Sequence, residues 1–196
     1  LSPWGGGKTG AHIFRRFSSA CQKAVSMLTL SGVIPPIVTP LLAHDQLETT
    51  GVDRVVEHLI GGGVSGIFAL GTTGEGPSLN YQVRYEMVER TCERVAGRVP
   101  VLVGVTDTSL SESLALAEHA HSSGAAAIVA AAPFYFDASQ GALTQWFWRL
   151  ADESPLPVIL YNMPSCVGVN LSLELVAALS SHPNVAGIKD SGGDVR

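Results

Sequence analysis

Gly66-Ile67-Phe68-Ala69-Leu70-Gly71-Thr72-Thr73-Gly74-Glu75-Gly76 runs a short apolar segment straight into a polar, glycine-rich turn, and an amphipathic stretch over 80–96 follows. In that stretch Val83, Met87 and Val88 are spaced to face inward, with Arg84, Glu86, Glu89, Arg90 and Glu93 outward. The unit reads as strand, functional-looking turn, helix. Working outward, the same unit recurs. Strand candidates fall at Val33–Thr39, Gly66–Leu70, Val101–Val105, Ala126–Ala130, Val158–Tyr161 and Val185–Lys189. Helical candidates lie near 51–61, 80–96, 110–122, 140–152 and 171–181, stopped at Gly61-Gly62-Gly63, Gly97 and Ser123-Gly124.

A βα repeat implies an α/β fold with a parallel sheet and right-handed crossovers. An open doubly wound sheet and a closed (β/α)8 TIM barrel both satisfy it. The first βα turn lacks the G-x-G-x-x-G fingerprint of a dinucleotide fold. Polar residues instead gather where strands end: Thr39, Thr72-Thr73, Thr106-Asp107, Tyr135, Tyr161-Asn162 and Lys189-Asp190. Chemistry on many successive strand ends is the habit of a barrel. About six βα units fit in 196 residues, whereas eight need roughly 250. The expectation is therefore a partial barrel over 32–196, ending after about six units.

The first 31 residues carry Lys8, Arg15, Arg16 and Lys23 and no acid, and they are rich in glycine and serine. They read as a separate basic leader, disordered or non-native, with Met27 as the expected start; an organelle transit peptide is the alternative. Gly5-Gly6-Gly7-Lys8-Thr9 superficially suggests a phosphate loop, but Ser2 stands where that motif needs glycine and no strand precedes it. From Gly32 onward all 17 acidic residues meet only eight basic ones, a poor balance for binding nucleic acid. No apolar run approaches the roughly 18 residues of a membrane span. Cys21, Cys92 and Cys166 are odd in number and have no metal or redox spacing. Neither metal nor cofactor is expected. His119 and His121, two apart on a helix, do not share a face; His44, His58 and His182 read as surface or loop residues. A cytoplasmic location follows from the same features.

Past residue 23 the chain holds one lysine, Lys189, closing the apolar run Val185-Ala186-Gly187-Ile188. Lysine is costly to bury. At this place it either snorkels to solvent or serves covalent chemistry. Attack on a ketone needs a neutral amine in apolar surroundings, for which Val185, Ala186 and Ile188 are the expected flank. Proton traffic needs a hydroxyl relay, and Tyr161 ends the preceding strand. A glycine-rich turn with threonines suits a carboxylate.

Three segments, Gly71-Thr72-Thr73-Gly74-Glu75, Tyr161-Asn162-Met163-Pro164 and Gly187-Ile188-Lys189-Asp190, resemble the signatures of the dihydrodipicolinate synthase / N-acetylneuraminate lyase family, pyruvate-handling class I aldolases on a (β/α)8 barrel. The resemblance runs from about Gly32 to the C-terminus. It implies that Lys189 forms a Schiff base with pyruvate, that Tyr161 shuttles protons, and that Thr73 and Gly74 bind the pyruvate carboxylate. Thr72 would link Tyr161 to Tyr135, the relay tyrosine lent by a neighbouring subunit, which implies a homo-oligomer, dimer or tetramer. Where synthases carry an arginine for the second substrate's carboxylate, this chain has Cys166. A thiol cannot supply that charged, bidentate contact. Pyruvate plus an aldehyde is the expected substrate pair, and Lys189-Asp190-Ser191-Gly192-Gly193-Asp194 reads more like relatives acting on hydroxylated 2-oxo acids. A competing reading is an inactive barrel fragment or binding module; a phosphate-binding barrel lacks the seventh and eighth turns it would use.

Overall fold

A computed structural model of the protein describes Leu28 and residues 30–193. The leader as far as Met27, with its Gly5–Thr9 stretch, and Asp194 lie outside the described residues. The elements are β1 (Leu41–Ala43), β2 (Gln46–Leu47), α1 (Thr49–Gly61), β3 (Ile67–Ala69), α2 (Tyr81–Val95), β4 (Val101–Gly104) and α3 (Leu110–Ser122). There follow β5 (Ala127–Ala131), α4 (Gln140–Glu153), β6 (Val158–Asn162), α5 (Pro164–Val167), α6 (Leu173–Leu179) and β7 (Val185–Asp190).

Five of the predicted strands form one parallel sheet in the order β3-β4-β5-β6-β7. A doubly wound sheet reverses its strand order at a switch point. This one never does, so the winding is that of a barrel. The segment predicted as a first strand over Val33–Thr39 lies beside β3 but makes only an isolated bridge, Pro36 to Phe68. Ile37 N–H donates to the Phe68 carbonyl at 2.9 Å, and Phe68 N–H donates to the Pro35 carbonyl at 3.0 Å. Pro35 and Pro36 bring no N–H of their own, which prevents a longer ladder. The small antiparallel hairpin of β1 and β2 was not anticipated.

Alternation along each strand sorts side chains into two layers. Ile67, Ala69, Val101, Val103, Ile128, Ala130, Val158 and Leu160 pack with helix residues such as Val52, Val83, Met87, Leu143 and Phe147. Phe68, Leu102, Ala127, Val129, Ala131, Ile159 and Tyr161 form a second cluster on the opposite face, made of strand residues. The helices therefore cover one face of the sheet, and the other face leads to the site. Asn80, Ser109, Ser139 and Ser172 start α2, α3, α4 and α6, each accepting from the backbone N–H three residues on.

Two side chains depart from their expected exposure. Arg84, expected outward, is buried at 7% exposure, because it shares the face of Val88, Thr91 and Cys92 on α2 and meets Asp107 there. His182 is buried as well: its Nε2 lies 2.9 Å from Asp152 Oδ1, its Nδ1 accepts from Asn184 N–H at 3.1 Å, and Trp148 packs edge-on against it. Cys92 sits in the helix-side core, where burial pushes its thiol up to about 11. No described helix is long and apolar enough to cross a membrane.

Candidate active site

The β6–β7 register places Tyr161 opposite Lys189 and Asn162 opposite Asp190. That register depends on an irregularity. Val158 pairs with Val185 but Ile159 pairs with Gly187, so Ala186 is an extra residue in β7. Without it, Tyr161 would meet Ile188, and Lys189 would turn to the helix side. With it, Lys189 Nζ stands 3.7 Å from the Tyr161 ring centroid and 6.0 Å from that of Phe68, and donates to Ser191 Oγ at 3.0 Å. The apolar surroundings of the amine are therefore these two rings. The expected flank is not: Ala186 is the bulged, exposed residue, and Ile188 alternates to the other face at 45% exposure.

Beyond the lysine the chain is held by Asn162. Its Nδ2 donates to Asp190 Oδ1 at 2.7 Å, while its Oδ1 accepts from Leu171 N–H at 3.0 Å. The Asn162 amide and the Gly192 N–H together hold the Asp190 carboxyl below its usual range. Ser191 N–H donates to the Asn162 carbonyl at 2.9 Å, which fixes the hydroxyl that receives the lysine. Ser191 was not singled out as a site residue from sequence; its one signal is a hydroxyl two residues past the lysine in a glycine-rich turn.

The turn after β3 brings the second component. Leu70 and Glu75, neither of them glycine, bracket it in the left-handed region with φ of 57° and 54°. At Gly76 an added Cβ would stand 2.2 Å from the Leu70 carbonyl oxygen, and at Gly104 2.3 Å, so β4 and the turn close on this strained residue only because both lack side chains. Thr72 emerges with its hydroxyl 3.4 Å from that of Tyr161. Burial raises the Tyr161 phenol, but hydrogen bonding from Lys189, Thr72 and Ser191 outweighs it and holds the phenol below its ordinary value. Thr73 lies exposed beside Thr72. Gly74 is buried in the turn, its carbonyl accepting from Thr39 Oγ1 at 2.7 Å. Glu75 closes the turn through its backbone, donating to the Thr72 carbonyl at 3.1 Å.

A cavity of about 290 Å³ is lined by Thr72, Glu75, Phe134, Tyr161, Met163 and Cys166 among others, none of them basic; Lys189 and Thr73 are outside its lining, and Lys189 adjoins it through the Tyr161 and Phe68 rings. Lys189, Tyr161, Thr72 and Cys166 are thus brought to one end of the sheet. Among the described residues Tyr135 is not joined to Thr72: it is 85% exposed, has a φ of 88°, and packs its ring against Phe136.

Winding and site together define a β/α-barrel protein with a lysine and a tyrosine facing each other at the carboxyl ends of adjacent strands. The chain belongs to the dihydrodipicolinate synthetase family, whose model matches residues 29–196. It is 36% identical over 160 residues to a 4-hydroxy-tetrahydrodipicolinate synthase of Gluconacetobacter diazotrophicus, covering 82% of this chain and 54% of that one. Dihydrodipicolinate synthase from Bacteroides thetaiotaomicron superposes with a TM-score of 0.81 at 47% identity, over 84% of this chain and 55% of that one. YagE of Escherichia coli K12, a family member solved in complex with pyruvate, gives a TM-score of 0.78 at 38% identity, over 81% and 54%. The chain spans about half the length of the curated relatives it matches.

Proposed function

We propose that the protein is a class I carbon–carbon lyase that carries pyruvate as a Schiff base on Lys189. The observation that carries this reading is the amine of Lys189 over the Tyr161 ring, with the Tyr161 hydroxyl against Thr72. The Lys189 nitrogen adds its lone pair to the pyruvate ketone carbon; the ketone oxygen takes up protons by way of Tyr161 and leaves as water, giving the imine. Loss of a methyl proton yields the enamine, which adds to an aldehyde, and the reverse sequence releases one. A phenol held below its ordinary value is suited to pass these protons. Thr73 serves the carboxylate from the turn, Gly74 shapes that turn with its N–H given to the Gly71 carbonyl at 3.0 Å, and Tyr135, exposed beyond the end of β5, is supplied to a neighbouring copy in a homo-oligomer, dimer or tetramer. A cytoplasmic location suits the two described cysteines, both free. Incubating the folded full chain with pyruvate and borohydride is expected to give a reduced pyruvate adduct on Lys189; a peptide map without it sinks the proposal.

A second reading concerns the acceptor. Cys166 stands on the cavity wall with no basic side chain among the lining residues, which favours a hydroxylated 2-oxo acid over a dihydrodipicolinate synthase-like condensation with aspartate semialdehyde. The Escherichia coli relative provisionally named a 2-dehydro-3-deoxy-D-gluconate aldolase is consistent with it. Pyruvate release from 2-keto-3-deoxy sugar acids, N-acetylneuraminate and 4-hydroxy-2-oxoglutarate, compared with consumption of aspartate semialdehyde, separates the two.

A further inference from the structure

We infer that Arg84, buried behind the glycine-rich turn and outside the cavity, is a positioning residue that sets the turn for pyruvate. The inference rests on the imine reading above. Arg84 spends all three guanidinium nitrogens inside the protein: Nη1 donates to Asp107 Oδ2 at 2.9 Å, Nη2 to the Pro77 carbonyl at 3.0 Å and Nε to the Leu79 carbonyl at 3.0 Å. Two of these three contacts grip the backbone of the short segment, residues 76–79, that leads directly out of the turn carrying Thr72 and Thr73. Asp107 is in turn held by Ser109 N–H at 2.9 Å and Tyr81 Oη at 3.3 Å, and the Tyr81 ring lies 4.8 Å from the guanidinium carbon.

A buried ion pair is weak support for stability in itself, since desolvation offsets the attraction. What a guanidinium adds is a rigid planar fork that reaches several acceptors at once. Here the fork fastens the loop after β4, through Asp107, to the segment that follows a turn beginning at strained Leu70. With Leu70 at one end and Arg84 at the other, the turn has little freedom to withdraw Thr72 from Tyr161. Lysine, with one ammonium, cannot reach all three acceptors.

The test is the pyruvate concentration giving half-maximal borohydride trapping on Lys189, a readout that needs no acceptor aldehyde. Arg84→Lys is expected to raise it about tenfold, with the adduct yield at saturating pyruvate unchanged. Leu150→Ala, a core substitution on α4 away from the turn, serves as a control for lost stability and keeps the parent value. If Arg84→Lys does not fold, Asp107→Asn decides: it takes the negative charge from the fork's anchor and is expected to raise the concentration about threefold. A folded Arg84→Lys within twofold of the parent overturns the positioning role, and so does an equal shift in Leu150→Ala or a parent-like Asp107→Asn. Absence of any adduct in the parent protein overturns the imine reading instead.

Discussion

At the scale of single residues, the site is a set of donors competing for one phenol. Lys189, Thr72 and Ser191 hold the Tyr161 phenol below its ordinary value against a burial that raises it. Removing the lysine in Lys189→Met leaves burial a larger share, so the Tyr161 titration moves upward, visible as a shifted phenolate absorbance in alkaline titration. The sign for stability follows. A folded-state value below the unfolded one favours the fold above the ordinary phenol range, and that contribution fades as pH falls through the lowered value. Lys189→Met therefore loses alkaline stability relative to the parent. Ser191→Ala removes the acceptor of the lysine and is expected to slow pyruvate trapping about tenfold while the circular dichroism spectrum stays unchanged. Lys189, Tyr161 and Thr72 were legible in the sequence because their side-chain types and strand-end places mark them. Ser191 and Arg84 were not, since a serine in a glycine-rich turn and an arginine on a charged helix usually face water.

At the scale of elements, the helices read well, because caps and apolar spacing are local. Helices expected near 80–96, 110–122, 140–152 and 171–181 begin in the structure within two residues of those starts, each behind a capping side chain, Asn80, Ser109, Ser139 or Ser172. Their ends store some strain. Ala96 caps α2 with a φ of 49°, so Ala96→Gly is expected to stabilise the protein by about 1 kcal/mol in urea unfolding. Gly104→Ala should act oppositely. Its methyl would press on the Leu70 carbonyl, costing about 1–3 kcal/mol and loosening the Thr72 turn. The failed strand at Val33–Thr39 has an equally local cause in Pro35 and Pro36; hydropathy made it apolar, but the missing donors kept it to a bridge.

At the scale of the whole molecule, two layers share the burial unequally. Phe147 is fully buried between helix and sheet, and Phe147→Ala is expected to cost about 3–5 kcal/mol, whereas Ile159→Val on the site side costs about 1 kcal/mol; denaturant midpoints measure both. By itself the sequence determined the β/α alternation and the family and singled out the candidate side chains at the strand ends, because apolar period, turn glycines and side-chain type are carried in neighbouring positions. Tertiary structure alone decided which faces meet. The bulge at Ala186 turns Lys189 toward Tyr161, Phe68 replaces Ile188 as the amine's apolar neighbour, and Asp107 draws Arg84 inward. Each of these depends on partners at least 23 residues apart along the chain. Strand register, face and ion pairing are relations between distant segments, and a local pattern holds no record of them.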